Sequence, residues 1–243
     1  MTLKKAQYPG FILVMLCLFS ALLLSFSSDD KNLNRYSKAD LLGKISPSSD
    51  PNFSEIPSKL CLRSRLYLRN EVLEAYLELY KNARDEEIEL VVISATRPFN
   101  HQKSIWDRKW NRTKYMGWQD IDKARDILNF SSMPGTSRHH WGTDLDLNAL
   151  ENSYFETKDG KKVYDFLERC GGELGFVQVY TDKAKGRTGY EEEKWHWSYM
   201  PVSSVMLDAY NEMITSDDIS GFDGSSIADS IQIIDNFVNG ISK

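Results

Sequence analysis

The sequence predicts an α+β fold, and three features of its patterning carry that reading. Apolar residues recur at mostly helical spacing over 71–84, 99–110 and 120–130. Short runs at 88–95, 143–148 and 176–180 read as strands. The two kinds are mixed without a regular strand–helix alternation, which disfavours a doubly wound sheet. At 243 residues the chain can bury one good core, or at most two small ones. A net charge of −5 argues against a general nucleic-acid binder, which would show a basic patch.

In chain order, Lys4 and Lys5 precede a run over 11–26 that is apolar but for Ser20 and Ser25. A membrane span needs about 20 apolar residues, so the run better suits the core of a secretory signal. Ser25-Phe26-Ser27 offers a small-x-small cleavage site. Residues 1–27 are therefore expected to be a signal peptide or an N-terminal membrane anchor. The rest of the chain is expected to be exported, in the periplasm or cell envelope. Residues 28–58 are rich in Ser, Asp, Asn and Pro and read as a flexible linker. The folded domain is expected over 59–243.

Leu60, Leu62, Leu66 and Leu68 alternate with Arg63, Arg65 and Arg69, which suggests an extended segment. Asn70 can cap a helix over 71–84, whose apolar stripe is Val72, Leu73, Tyr76, Leu77 and Tyr80. The strand at 88–95 stops at Thr96-Arg97-Pro98. Helices follow over 99–110 and 120–130, then a loop over 131–136 containing Pro-Gly. The 143–148 strand leads to a helix over 161–170, closed by Gly171-Gly172. After the 176–180 strand comes a polar loop, 181–189, and then a strand or turn holding His196. Two helices, 204–214 and 226–238, form a C-terminal extension. Without the leader two cysteines remain, Cys61 and Cys170; an exported chain permits a disulfide between them, and two buried thiols are the alternative.

The chemistry concentrates in two stretches. Ser137-Arg138-His139-His140-Trp141-Gly142-Thr143-Asp144-Leu145-Asp146 places two imidazoles and two carboxylates within ten residues. Glu193-Lys194-Trp195-His196 adds a third imidazole and another carboxylate. Residues seven apart face opposite sides of a straight strand, so His139 and Asp146 converge only if the chain bends. Gly142 is where a bend is cheap. Asp144 and Asp146 then share a face, and spacing alone does not choose between them. His140 points away from His139. A helix turn or bulged strand would bring Glu193 and His196 over one metal; the alternative is that Glu191, Glu192 and Glu193 form a solvated acidic run. Trp195 and Trp197 are either core or the walls of a groove. A His, an Asp and a second His can take three corners of a zinc tetrahedron and leave the fourth to water. A free Glu beside that water is the usual base of a zinc hydrolase.

Ser137-x-His139-x-x-Gly142-x-x-x-Asp146 followed by Glu193-x-Trp195-His196 resembles the double signature of VanY-type D-alanyl-D-alanine carboxypeptidases. That zinc-peptidase group also includes VanX dipeptidases and LD-carboxypeptidases. Ser94-Ala95-Thr96-Arg97 with Gln102 resembles a third family motif, and the three occur in family order between Leu60 and Tyr199. The resemblance implies a small central antiparallel sheet flanked by helices, as in the Hedgehog and DD-peptidase folds. It implies one zinc ion held by His139, Asp146 and His196, with Glu193 as the base. It implies that Arg97 stabilises the oxyanion or holds the substrate carbonyl, and that Ser137 and Gln102 help hold substrate; Trp195 is the further candidate for the groove wall. The expected activity is hydrolysis of the terminal peptide bond of peptidoglycan stem peptides by a monomer. The alternatives are an LD-carboxypeptidase or endopeptidase with the same catalytic set, or a non-catalytic, zinc-stabilised wall-binding ectodomain. One position departs from the family pattern: a small residue is common where this chain has Asp144.

Overall fold

The computed structural model describes residues 35–242. The expected signal or anchor at 1–27 and the first residues of the expected linker lie outside them. No helix among the described residues is long and apolar enough to cross a membrane.

A four-stranded antiparallel sheet positions the site. Its strands are β3 (Val92–Ser94), β4 (Asp144–Leu147), β5 (Phe176–Gln178) and β6 (His196–Tyr199), in the spatial order β3-β4-β6-β5. The register pairs Asp146 with Ser94 on one side and with His196 on the other. Leu145 and Leu147 alternate with the two aspartates, and all four residues are buried. Such two-sided burial requires the aspartates to find partners within the protein. A two-stranded antiparallel sheet, β1 (Phe53–Glu55) with β2 (Tyr67–Arg69), stands beside it.

Among the described residues six α-helices surround the sheets: α1 (Lys38–Leu41), α2 (Asn70–Asp85), α3 (Phe99–Trp110), α4 (Asp120–Leu128), α5 (Lys158–Cys170) and α6 (Met200–Met213). In α2, Val72, Leu73, Tyr76, Leu79 and Ala83 are buried at helical spacing. This is the apolar stripe that drives an amphipathic helix onto a core. Leu77, read as part of the stripe, is exposed, and Leu79 takes its place. Helix α3 has the expected bounds, because Pro98 fixes its entry and Trp106 and Trp110 share its inner face.

Three expectations need correction. Residues 35–58 do not form a flexible linker: Tyr36, Leu41, Leu42, Phe53 and Ile56 are buried in the core. The segment is mostly polar, but these few apolar side chains fall where they cover the domain. Trp141 donates its indole N–H to the Leu41 carbonyl at 3.1 Å, and a Ser37–Asp40 capping box starts α1. Asn70 does not cap α2; its side chain reaches back to Ser54 and to the Pro51 carbonyl. The C-terminal 226–238 stretch is not an α-helix. It contains a 3-10 turn, Ser225–Ile227, and a π-helical turn, Ile234–Val238, separated by Gln232 with φ +51°. Of the two readings left open for Cys61 and Cys170, the structure has the free thiols, with no bridge between them.

Helix α6 begins earlier than expected, with Pro201 in its first turn. Helix α5 also begins earlier, at a Thr157 cap, and the left-handed residue beyond its end is Gly175.

Candidate functional site

Gly142 makes the bend that the site needs. Its φ is +74°, and an added Cβ would lie 2.4 Å from the Phe53 ring. Both conditions favour glycine. The 3-10 turn Arg138–Trp141 before it and strand β4 after it therefore meet at an angle, and His139 folds back toward Asp146. A second clamp fixes the approach: the Arg97 N–H donates to the His139 carbonyl at 2.9 Å.

The ring nitrogens have assigned tasks. His139 Nδ1 lies 2.9 Å from the Ala95 carbonyl oxygen. A carbonyl only accepts, so Nδ1 carries the proton and Nε2 presents its lone pair to Asp146 Oδ1 at 3.3 Å. His196 Nε2 lies 2.8 Å from Asp144 Oδ1, so it is the donor there. Its Nδ1 then faces Asp146 Oδ1 at 3.2 Å and Glu193 Oε2 at 3.6 Å. One ligand atom from each of His139, Asp146 and His196 lies within 4.8 Å of the others.

This donor set fits a divalent cation. Asp146 Oδ1 is buried and accepts no hydrogen bond, although two imidazole nitrogens flank it. Two ring nitrogens around an oxygen without a hydrogen bond make an N/N/O set, which suits zinc among first-row metals. In the metal-free protein a proton on His196 is the alternative source of positive charge. Burial opposes the charged form of His196, yet the Asp144 and Asp146 carboxylates raise its pKa to about 9. Burial lowers that of His139 against the pull of Asp146. Both aspartates are held below the usual carboxylate range: burial opposes ionisation, and Arg138 with His196 for Asp144, or both imidazoles for Asp146, outweigh it.

Glu193 stands beside the cluster. Burial pushes its carboxyl up to about 7, with His196 and Arg97 pulling the other way. A carboxyl that titrates near neutrality is suited to taking and returning a proton. Arg97 is held by Gln102 Oε1, which accepts from Nη1 at 2.9 Å, and by Ser94 Oγ, which accepts from Nη2 at 2.8 Å. Its Nη2 also lies 3.6 Å from Asp146 Oδ2.

A groove of about 580 Å³ opens over these groups. Ser137 and Trp195 line it, as expected of them, together with Ile105, Phe130, Leu150 and Tyr180. Gln102 does not line it. It is buried, with its amide N–H donated to the Ser132 carbonyl, so it positions Arg97 instead of touching the groove. The tryptophans divide: Trp195 walls the groove, while Trp197 is buried against Tyr164. His140 is structural, with Nδ1 donating to the Arg97 carbonyl and Nε2 accepting from the Gly135 N–H.

Sequence reasoning missed three groups. Arg138 is buried, donates from Nε to Asp144 at 3.1 Å and from Nη2 to Ser198 at 2.6 Å, and so balances the second carboxylate. Its place inside the first motif was the available signal. Tyr180, two residues beyond β5, packs its ring 4.6 Å from that of His196. Lys109 lines the groove, one and two turns along α3 from Ile105 and Gln102, and that spacing could have found it.

The chain is similar to several known proteins. A D-alanyl-D-alanine carboxypeptidase of Enterococcus faecalis (strain ATCC 700802 / V583) is 28% identical over 134 residues, 55% of this chain and 48% of that protein. A putative carboxypeptidase, YodJ, of Bacillus subtilis (strain 168) is 29% identical over 153 residues, 60% of this chain and 51% of that protein. The chain thus spans about half the length of these curated relatives. Two solved structures share the fold. VanYB in complex with D-alanine-D-alanine superposes with a TM-score of 0.50 at 22% identity, covering 69% of this chain and 87% of that one. The LdcB LD-carboxypeptidase gives 0.51 at 23% identity, covering 67% and 74%. The VanY family, described as D-alanyl-D-alanine carboxypeptidase, matches residues 65–202, which hold every group of the cluster, and the chain belongs to that family.

Proposed function

We propose that the protein is a zinc-dependent D-alanyl-D-alanine carboxypeptidase that removes the terminal residue of peptidoglycan stem peptides outside the cytoplasm. One observation carries the reading: buried Glu193, titrating near neutrality, stands against a His139–Asp146–His196 cluster whose central oxygen lacks a hydrogen bond. Family membership and the carboxypeptidase relatives support it. The leader-like run at 11–26 supports export.

His139 through Nε2, Asp146 through Oδ1 and His196 through Nδ1 would hold the zinc. Bound there, zinc would supply a Lewis acid that acidifies water and polarises a carbonyl. Glu193 takes a proton from the water that attacks the scissile carbonyl carbon. Arg97 donates to the oxygen on which negative charge develops, its guanidinium already fixed by Gln102 and Ser94 and needing little reorganisation. As the C–N bond breaks, Glu193 returns the proton to the nitrogen of the departing D-alanine. Trp195, Tyr180 and Ile105 exclude water along the groove.

The test is hydrolysis of defined pentapeptide and tetrapeptide stems by the zinc-supplied protein, with products read by mass spectrometry. Release of D-alanine from the pentapeptide, abolished by a chelator and restored by zinc, is expected. Cleavage confined to the tetrapeptide would replace the assignment with an LD-carboxypeptidase. Cleavage that persists after complete metal removal would refute the metal-dependent mechanism.

A further inference from the structure

Arg97 faces two cavities. One is the groove described above; the other, about 360 Å³, lies on its far side between the 63–67 segment and the start of α3. Arg63, Arg65, Arg97 and His101 line this second pocket, with the Ser64 and Ser94 hydroxyls between them. No acidic side chain lines it. Glu55 and Asp146 are the nearest carboxylates tied to its walls, and each is engaged elsewhere. Glu55 accepts from the Arg65 backbone N–H at 2.9 Å and from Tyr67, and Asp146 belongs to the metal cluster.

The pocket is unusual for this chain. Acidic residues outnumber basic ones, 35 to 30. Many exposed cations accordingly have carboxylate partners, as in Arg35–Glu71, Lys38–Asp218, Lys161–Asp165 and Arg169–Glu86. Among the described residues, Arg63 and Arg65 have no carboxylate within ion-pair distance of their guanidinium groups. The backbone beneath them is nonetheless held in place. Arg65 has φ +62°, a backbone conformation that residues other than glycine adopt rarely. Its N–H is pinned by Glu55, Leu62 donates to the Val92 carbonyl, and β2 follows directly. The positive field is felt by a neighbour: His101, at an exposed position, is harder to protonate, through partial desolvation first and then through Arg97, Arg63 and Arg108.

Arg63 and Arg65 bring to this walled space two guanidinium groups with no carboxylate beside them, and such donors fit an anionic oxygen ligand. Under the carboxypeptidase reading, the C-terminal carboxylate of the substrate lies one residue, at most about 3.6 Å of chain, beyond the scissile carbonyl. It therefore stays in the groove that holds Glu193. We infer that the Arg63–Arg65–His101 pocket is a subsite for a second carboxylate of the substrate peptide, one carried by a residue other than the terminal alanine. The inference rests on the function proposed above and narrows its substrate class to acidic peptides. Arg97 links the two binding events, because the guanidinium at the scissile carbonyl also forms a wall of the subsite.

The test uses two synthetic peptides ending in D-Ala-D-Ala and identical except for one upstream side chain, a carboxylate in one and its carboxamide in the other. Binding is measured by calorimetry on the full chain carrying Glu193→Ala and loaded with zinc, so that the peptides stay intact. The carboxylate peptide should bind about tenfold tighter, the worth of one charge-assisted hydrogen-bonded contact. Adding Arg63→Gln and Arg65→Gln, both at exposed positions, should bring the two affinities together. Equal affinities in the starting protein, a preference that survives both substitutions, or an equal loss for both peptides would overturn the subsite. The same peptides offered to the protein with Glu193 intact test the parent reading separately. If neither is cleaved, the carboxypeptidase assignment fails while the calorimetry still decides the pocket.

Discussion

The sequence reading sets Asp144 apart from the family's pattern, and its role follows from its contacts. It fixes the His196 tautomer so that Nδ1 faces the cluster, and it lies against buried Arg138. A carboxylate behind a metal-binding imidazole typically contributes 10- to 100-fold in metal affinity. Asp144→Ala alone would also strand the Arg138 charge, so the informative variant is Asp144→Ala with Arg138→Leu. Its zinc affinity, measured by chelator competition on folded protein, should fall by about 10- to 100-fold. An affinity within twofold of the original would reduce Asp144 to a structural counter-ion. Glu193 gives a second prediction, in the metal-free state. Its carboxyl is raised to about 7 and His196 to about 9, both above their ordinary values. The stability each contributes is complete below its ordinary pKa and is lost as pH rises through the shifted one. The melting temperature of chelated protein should therefore fall between about pH 5 and pH 9, and Glu193→Gln should remove the part of the fall that ends near pH 7. A flat profile would contradict the assigned burial. With zinc supplied, the same Glu193→Gln variant should keep its metal and lose about 10²- to 10⁴-fold in hydrolysis rate.

At the scale of elements, the turn at Gly142 decides whether the cluster forms. Gly142→Ala would meet both a positive φ and the Phe53 ring, and should destabilise the fold by about 1–3 kcal/mol. Zinc affinity should fall with it, since His139 and Asp146 lie on opposite sides of that turn. Urea denaturation and metal titration of the same sample check both; a normal metal affinity would show that the bend is not what brings the two residues together. The elements bearing the motif were legible in the sequence for a related reason. His139, Gly142 and Asp146 are local, so their spacing and one glycine specify the geometry. Helix α3 was legible because Pro98 marks its start and its tryptophans mark its face. Gln102 was read as a substrate contact, and its bonds to Arg97 and the Ser132 carbonyl, which spacing does not reveal, keep it out of the groove wall. Asn70 was misread because a local cap and a long-range contact with Ser54 are indistinguishable in one dimension.

For the molecule as a whole, the largest misreading was the domain boundary. Composition reports 35–58 as a spacer, yet five apolar side chains there are buried against the rest. Each fully buried side chain of this size contributes about 1.5–3 kcal/mol, and a domain's net stability is about 5–15 kcal/mol. A chain beginning at residue 59 should accordingly be insoluble or melt well below one beginning at residue 35, as read by calorimetry; equal melting temperatures would restore the spacer. The C-terminal stretch was misread in the opposite sense. Its apolar residues Ile231, Ile233 and Val238 are buried, but Gln232 breaks the helix that their spacing suggested.

The register of strand β4 has a historical consequence. Asp146 faces Ser94 across one ladder and His196 across the other, so the sheet acts as a ruler for the reactive groups. A single-residue insertion within β3, β4 or β6 would turn a working side chain to the opposite face and end activity at once. Changes of length can accumulate only between these strands, in the stretches 98–137, 148–175 and 179–195. Much of the groove's wall comes from there, including Ile105, Phe130, Leu150, Tyr180 and Trp195. Under the proposed function, descendants of this chain can thus diversify what they cut while inheriting how they cut it.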